Sequence, residues 1–407
     1  MKRNEGQEDA EACGSRSSGQ QGWLSDGQDR VPEKGTRSDG RRVRLKRSVE
    51  VFQSARGSLH LLRLGLGDDL EIEDPGQADH LILDLLARGF TSATEIQRTS
   101  ETPPNYVLAS IEALDAAGVL EYEYHRSLGP VEAERFDRQL IYFADLEGGD
   151  PSSHDMQRRL IDAHVVLIGC GGLGSWVACG LVSAGLGKLT LIDDDTVELS
   201  NLNRQLLFTE EDLGGKKVEV AAAALLANNS RLKVNTVHER ICSITDLERL
   251  LPSDCDLVIA TADWPPHDLP RWVNRACVRA GIPWLGAGQF PPKLRVGPLV
   301  VPGLSACLEC HEEQIRASYP LYDEIAEWRA SRTTPDASVG PVAGVIGTVL
   351  ASEAMHLLLG TFEPASLGAA LLIDLRTMSI DRERVESVAT CGLCAEARLR
   401  LEGRRAA

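Results

Sequence analysis

Apolar positions along this 407-residue chain fall into two regimes. Between residues 49 and 123 they come in short blocks. Residues 58–64 and 70–73 have the composition of strands, and Gly65-Leu66-Gly67-Asp68-Asp69 between them reads as a hairpin turn. Ile82, Leu85 and Leu86 then fall at helical spacing and stop at Gly89. Thr91 or Ser92 can cap a second short helix, with Glu95 near the capping-box position. Val107, Ile111 and Leu114 mark a third helix closed by Gly118, and residues 119–124 return to strand. Two strands, three helices and a returning strand predict a small N-terminal winged-helix domain over residues 48–126. Its exposed edge strand could take an extended peptide by strand addition. From Ala163 onward the pattern changes. Apolar runs at 165–168, 189–192, 257–260 and 284–286 alternate with helical segments. That alternation predicts an α/β domain over residues 127–407, with a doubly wound, mostly parallel sheet.

Composition adds boundaries. Residues 1–47 are rich in Gly, Ser, Gln, Arg and Glu and are expected to be disordered, because they hold too little apolar surface to offset ordering entropy. Sixty acidic residues against 43 basic ones leave a net charge of −17. A nucleic-acid binder usually carries a basic face, so no nucleic-acid partner is expected. The N-terminus has no apolar signal core. Residues 165–186, the most apolar stretch, contain several glycines and read as strand, turn and helix rather than a membrane span. Ten cysteines are too sparse for a disulfide scaffold, and a cytoplasmic protein is expected.

Candidate chemistry begins after the 165–168 strand. Gly169-Cys170-Gly171-Gly172-Leu173-Gly174 is a G-x-G-x-x-G loop between strand and helix, a context suited to a phosphate held at a helix N-terminus. Asp193 ends the next strand, where an acid can hold ribose hydroxyls. The loop alone also fits NAD. The residues after Asp193 favour a triphosphate: Asp193-Asp194-Asp195 runs on to Ser200-Asn201-Leu202-Asn203-Arg204-Gln205, and an arginine with two amides suits a further phosphate or a pyrophosphate leaving group. Lys216 and Lys217 open a helix against its dipole, so either a bound anion or plain solvation must account for them. Asp263 closes the 257–262 segment, as a magnesium ligand or as a turn aspartate.

Together, residues 169–175, Asp193-x-Asp195, residues 200–205, Lys217 and Arg135-Phe136-Asp137-Arg138-Gln139 resemble the ThiF/MoeB/HesA family of ubiquitin-activating-like adenylyltransferases. The resemblance spans about residues 131–394. It implies ATP bound by Gly169, Gly171, Gly172 and Gly174, with Asp193 on the ribose and Asp195 nearby. Ser200, Asn201, Asn203, Arg204 and Lys217 would hold the phosphates, and Asp263 would hold Mg2+. Arg138 matches an arginine that family members insert into the neighbouring subunit's site, which implies a homodimer. Cys307-x-x-Cys310 and Cys391-x-x-Cys394 form two knuckles, suited either to structural Zn2+ or to redox chemistry. The resemblance, which includes this tetrad, implies zinc. Cys170, Cys179, Cys242, Cys255 and Cys277 read mostly as buried fillers. No cysteine lies between Cys310 and Cys391, where thioester- or persulfide-forming relatives carry one. His154, His267 and His311 are isolated and read as surface or core residues.

The resemblance implies that a substrate carboxylate attacks the α-phosphorus of ATP and releases pyrophosphate, with Arg204, Lys217, Asp263 and Arg138 as the catalytic set. The N-terminal domain looks like the peptide-binding element of ribosomal-peptide modifying enzymes. Residues 261–265 through 272–274, and 297–303 before Cys307, are similar to enzymes of the microcin C type, which adenylate a short precursor peptide. A precursor peptide is therefore the expected partner, and a small ubiquitin-like sulfur-carrier protein is the alternative.

Overall fold

The computed structural model describes residues 41–63, 68–123, 128–146, 151–331 and 337–406. Most of the expected disordered segment lies outside these residues, as do Gly65–Gly67 of the expected turn, Tyr124 and the expected domain boundary at 126/127. In the N-terminal region β1 (Val43–Leu45), β2 (Glu50–Gln53), β3 (Leu59–Arg63) and β4 (Asp68–Ile72) precede α1 (Gln77–Arg88), α2 (Ala93–Ser100) and α3 (Pro104–Ala116); β5 (Leu120–Tyr122) comes after them. Strands β2, β3 and β4 form one antiparallel sheet, and β1 pairs with β5. Leu59, Leu61, Ile82, Leu86, Ile96, Val107 and Leu114 share one core. The capping box of α2 is present: Glu95 N–H donates to Ser92 Oγ (3.2 Å), and Ser92 N–H donates to Glu95 Oε2 (2.9 Å).

Order starts earlier than the composition suggests. Val43 and Leu45 belong to a strand and are buried, although they fall inside the segment expected to be disordered through residue 47. The arginine between them obscured the signal. Arg44 is neutralised by Glu121, which accepts from its Nε (2.9 Å) and Nη2 (2.7 Å). Glu121 also accepts from Ser153 Oγ (2.6 Å), which ties β5 to the next region.

That region contains α4 (Pro130–Arg135), α5 (Asp137–Leu146) and α6 (Ser153–Asp162). His154 on α6 is buried, and its Nδ1 accepts the Leu128 N–H (3.1 Å). Burial pushes this imidazole down to about 4 from its usual 6.5. The unfolded chain then takes up a proton that the folded chain refuses. Stability is whole above pH 6.5 and falls as the pH drops towards 4, by up to ~3 kcal/mol from this group. Thermal midpoints measured across that window should fall less steeply for His154→Gln than for the parent, and equal slopes would refute this assignment.

The remainder comprises β6 (His164–Ile168), α7 (Gly172–Ser183), β7 (Lys188–Ile192), α8 (Lys217–Asn228), β8 (Lys233–Val237), α9 (Ile244–Leu250), β9 (Leu257–Ala260), α10 (Asp268–Ala280), β10 (Trp284–Phe290) and β11 (Lys293–Val296). After these come α11 (Leu308–Ser318), α12 (Tyr322–Ala330), α13 (Gly340–Leu359), β12 (Ala369–Asp374), β13 (Ser379–Arg384) and α14 (Gly392–Ala406). One eight-stranded sheet runs β13-β12-β11-β10-β9-β6-β7-β8. It is parallel from β10 to β8 and antiparallel from β10 to β13, so the mostly parallel α/β fold is as expected. Val165 and Leu167 of β6 point into the core beneath α7, α8 and α13, and Val166 and Ile168 into the core beneath α9 and α10. Burial on both faces explains the unbroken apolar run. Residues 165–186 are strand, turn and helix. Helix α13 is long and apolar enough to cross a membrane, yet it is mostly buried. A Cβ on Gly347 would lie 2.5 Å from Trp176 Cβ of α7, so small residues let the two helices pack as a core pair.

Candidate active site

From β6 the chain crosses through α7 to β7 on one side, and from β8 it returns to β9 on the other. The carboxyl ends of β6 and β9 therefore flank a topological switch point, where open α/β sheets bind ligands. Their loops are stitched together. Thr261 N–H and Ala262 N–H donate to Ile168 O (2.8 and 3.0 Å), and Thr261 Oγ1 donates to Gly169 O (2.7 Å). Gly169 has φ +96°, and a Cβ there would lie 2.5 Å from Ala262 N. A Cβ on Gly174 would fall well inside contact distance of Gly169 O. Gly171 and Gly172 are different: their nearest neighbours would be Gln205 Nε2 at 3.8 Å and the Arg204 stem at 3.4 Å. Two glycines therefore serve the protein's own packing, whereas a Cβ on Gly171 would meet little and one on Gly172 would just touch Arg204 and Ala343.

Asp193 locks the end of β7 to this loop. Its Oδ2 accepts Cys170 N–H (2.6 Å) and its Oδ1 accepts Asp195 N–H (2.8 Å). Burial raises its carboxyl above the usual range, and these two hydrogen bonds oppose that shift. Lys217 is buried at the start of α8 and donates from Nζ to Asp195 Oδ2 (2.7 Å). This carboxylate is the anion that the lysine's unfavourable dipole position called for. Asn201 is buried, and its Oδ1 accepts Glu198 N–H (3.1 Å). Arg204 lies across Gly172 and donates from Nη1 to Ser200 O (2.8 Å) and Asn203 Oδ1 (3.0 Å). Asp263 is exposed just past β9. Gly169, Gly171, Gly172, Gly174, Asp193, Asp195, Ser200, Asn201, Asn203, Arg204, Lys217 and Asp263 thus gather at the carboxyl edge.

Arg138 does not join them. Its neighbour Gln139 donates to Ala184 O (2.7 Å), at the far end of α7 from the loop. Twelve helical residues span ~18 Å.

Cys307 caps α11 and Cys310 lies in its first turn, while Cys391 and Cys394 sit at the start of α14. Their sulfurs are 3.9 Å (307–310), 3.7 Å (307–391) and 3.6 Å (310–394) apart, and all four lie within 4.8 Å of one another. Tetrahedral zinc with ~2.3 Å bonds requires ~3.8 Å between sulfurs. The tetrad fits that ion. Among the other cysteines, Cys170, Cys255 and Cys277 are buried thiols; burial raises all three, Cys255 to about 12. Cys242 departs from the filler reading: it is exposed.

Sequence reasoning missed Thr261, whose hydroxyl joins the two loops. It also missed a cluster beyond Asp263 that gathers His267, Arg271, Arg295, His311, Arg316 and Tyr322. No motif announces it, because its members come from four elements and the segment before α10.

This fold and loop define a nucleotide-binding α/β protein, and residues 136–393 match the model of the ThiF family, to which the chain belongs. It is 32% identical over 262 residues to the sulfur carrier protein ThiS adenylyltransferase of Escherichia coli K12, covering 64% of this chain and 94% of that protein. It is 31% identical over 270 residues to the molybdopterin-synthase adenylyltransferase of the same organism, covering 66% and 99%. Among solved structures, Escherichia coli MccB with AMPCPP and MccA aligns with a TM-score of 0.69 at 28% identity, covering 87% of this chain and 99% of that one. The chain is an adenylyltransferase of this family.

Proposed function

We propose that this enzyme adenylylates a carboxylate of a short, ribosomally made precursor peptide in natural-product biosynthesis. The reading is carried by the extent of the likeness. MccB aligns with 87% of the chain, whereas the ThiF and molybdopterin-synthase relatives cover 64% and 66%. The additional length takes in part of the N-terminal helices and sheet, which we read as a winged-helix module for the peptide. Glu50–Gln53 of β2 lie exposed at the edge of that sheet, and a backbone ladder of this kind suits strand addition.

In this reading Asp193 orients the ribose, and the N–H groups at the start of α7 meet phosphate over Gly171 and Gly172. Ser200, Asn201, Asn203, Arg204 and Lys217 hold the outer phosphates. An ammonium has three donors, so Lys217 can keep Asp195 while it meets an anion. Asp263 would hold Mg2+, which when bound offsets phosphate charge. The position of Arg138 supports action in trans, with a second copy in a homodimer lending its arginine. The attacking carboxylate is already ionised at neutral pH and needs no base. Catalysis then lies in positioning and charge stabilisation.

The test is intact-mass analysis of the short peptide encoded beside this gene, after incubation with protein and Mg-ATP. An added nucleotide mass, or a dehydrated product of a transient adenylate, is expected. Arg204→Ala should slow the reaction about 10²–10³-fold. An unchanged peptide, with AMP placed instead on the C-terminus of a ubiquitin-like carrier, would establish the second reading. That alternative rests on the 32% identity to the ThiS adenylyltransferase.

A further inference from the structure

Beyond Asp263, on the β10 side of the switch point, Arg271 and Arg316 are paired with carboxylates, whereas Arg295 forms no ion pair among the described residues. Gly286 of β10 pairs with Ala260, the last residue of β9, and Gly288 extends ~7 Å further past that edge. Arg295 of β11 is the partner of Gly288, and its Nη2 lies 3.5 Å from where a Gly288 Cβ would sit. Around it stand Arg271 of α10, His311, Glu312 and Arg316 of α11, and Tyr322 of α12. Glu312 and Asp323 are engaged by other arginines, and Glu383 of β13 acts on Arg295 without forming an ion pair with it. Glu312 is buried and accepts from Arg271 Nε through both oxygens (3.0 and 3.1 Å), with Arg316 Nη2 3.5 Å away. Asp323 accepts from Arg316 Nε (2.9 Å), and the Arg316 guanidinium lies 5.5 Å from the Tyr322 ring.

Arg295 has no hydrogen bond or ion pair among the described residues, and its Nε is buried without a partner. His311 Nδ1 and His267 Nε2 are buried and unpartnered as well. These groups share surroundings: Arg295 acts on His311, Arg271, Glu312, Arg329 and Asp268 act on His267, and Tyr322, Glu383 and Glu312 act on Arg295. Buried polar groups are ordinarily paired, and these three ring and guanidinium nitrogens are buried without a partner. The triphosphate does not answer them, because Arg204 and Lys217 lie on the α7 and α8 side of β6. Nor is the attacking carboxylate suited to them, since an arginine clamp would hold the electrons that it must donate.

We propose that Arg295 binds a second carboxylate on the acyl substrate, beside the one that is activated, and so selects an acidic reacting residue. This rests on the reading of the chain as a peptide adenylyltransferase. The second carboxylate is either a terminal α-carboxylate or an acidic side chain, and both have the same chemistry at Arg295.

The test titrates three probes into the full chain loaded with Mg-AMPCPP: N-acetylglutamate, N-acetylglutamine and the α-amide of N-acetylglutamate. The dicarboxylate should bind about tenfold or more tightly than either monocarboxylate. Arg295→Leu should erase that preference and leave AMPCPP affinity unchanged, while Arg295→Lys retains part of it. The monocarboxylate whose binding falls in Arg295→Leu identifies which carboxylate the arginine reads. Removal of an arginine that forms no ion pair should also leave the thermal midpoint equal or higher, whereas a structural arginine would lower it. Equal or absent binding of the three probes, a preference that survives Arg295→Leu, or a lower midpoint overturns the proposal. If the precursor peptide is adenylylated with equal KM by parent and Arg295→Leu, only this inference fails. If the peptide is not adenylylated at all, the underlying reading fails.

Discussion

Gly171→Ala should leave the protein as stable as the parent and weaken ATP binding at least ~100-fold, whereas Gly174→Ala should damage both. The two positions lie three residues apart in one loop, but their surroundings differ. A methyl group at 171 meets only Gln205 Nε2, at 3.8 Å, so the ligand-free fold has room for it. That room lies where phosphate approaches the N-terminus of α7, and a methyl group there holds the anion away from the N–H donors. At 174 the methyl group would strike Gly169 O and come within 2.9 Å of Thr261 Oγ1. Gly169 cannot retreat, because its φ of +96° and its packing on Ala262 already fix it. The strand–loop–helix joint must open, at a cost of several kcal/mol typical of overpacked cores. Calorimetric titration with Mg-ATP and thermal unfolding separate the two. Parent-like ATP affinity in Gly171→Ala would mean that this loop does not cradle phosphate.

The same contrast shows what the sequence could and could not reveal. Strand β6 was legible because both of its faces are buried, which leaves 165–168 without a polar interruption. The loop was legible in part because close packing at Gly169 and Gly174, and the positive φ of Gly169, demand glycine. Strand β2 was not, since all four of its residues are exposed and only backbone pairing to β3 defines it. Strand β1 was hidden by the arginine between its two buried residues. Lys217 looked like an anion seeker, but that its partner is Asp195 depends on how the 193–217 segment folds back. The cluster around Arg295 had no local signature at all. Its charge balance appears only when α10, β11, α11 and α12 come together.

The cysteine tetrad fits zinc, and if it holds that ion, its removal should be the most damaging change outside the nucleotide site. The two knuckles lie 84 residues apart in sequence and join the N-termini of α11 and α14. Helix α14 is the last of the described elements and packs against α10 through residues such as Ala397. Much of its remaining face is exposed, so little apolar area holds it. A metal that closes so long a loop restrains the unfolded chain strongly, and metal-binding free energy then becomes folding free energy. Cys310→Ser should leave less than one zinc per chain by elemental analysis. It should also destabilise the protein by at least ~3 kcal/mol, a midpoint shift of about 5–10 °C. The effect should start at α14, visible as faster amide exchange through 392–406 before the parallel sheet opens. Chelation of the parent protein should reproduce the mutant's exchange pattern, because both remove the same restraint. If the chelated protein keeps its midpoint and α14 stays protected, the four thiols hold their geometry without an ion and the structural-zinc assignment is wrong.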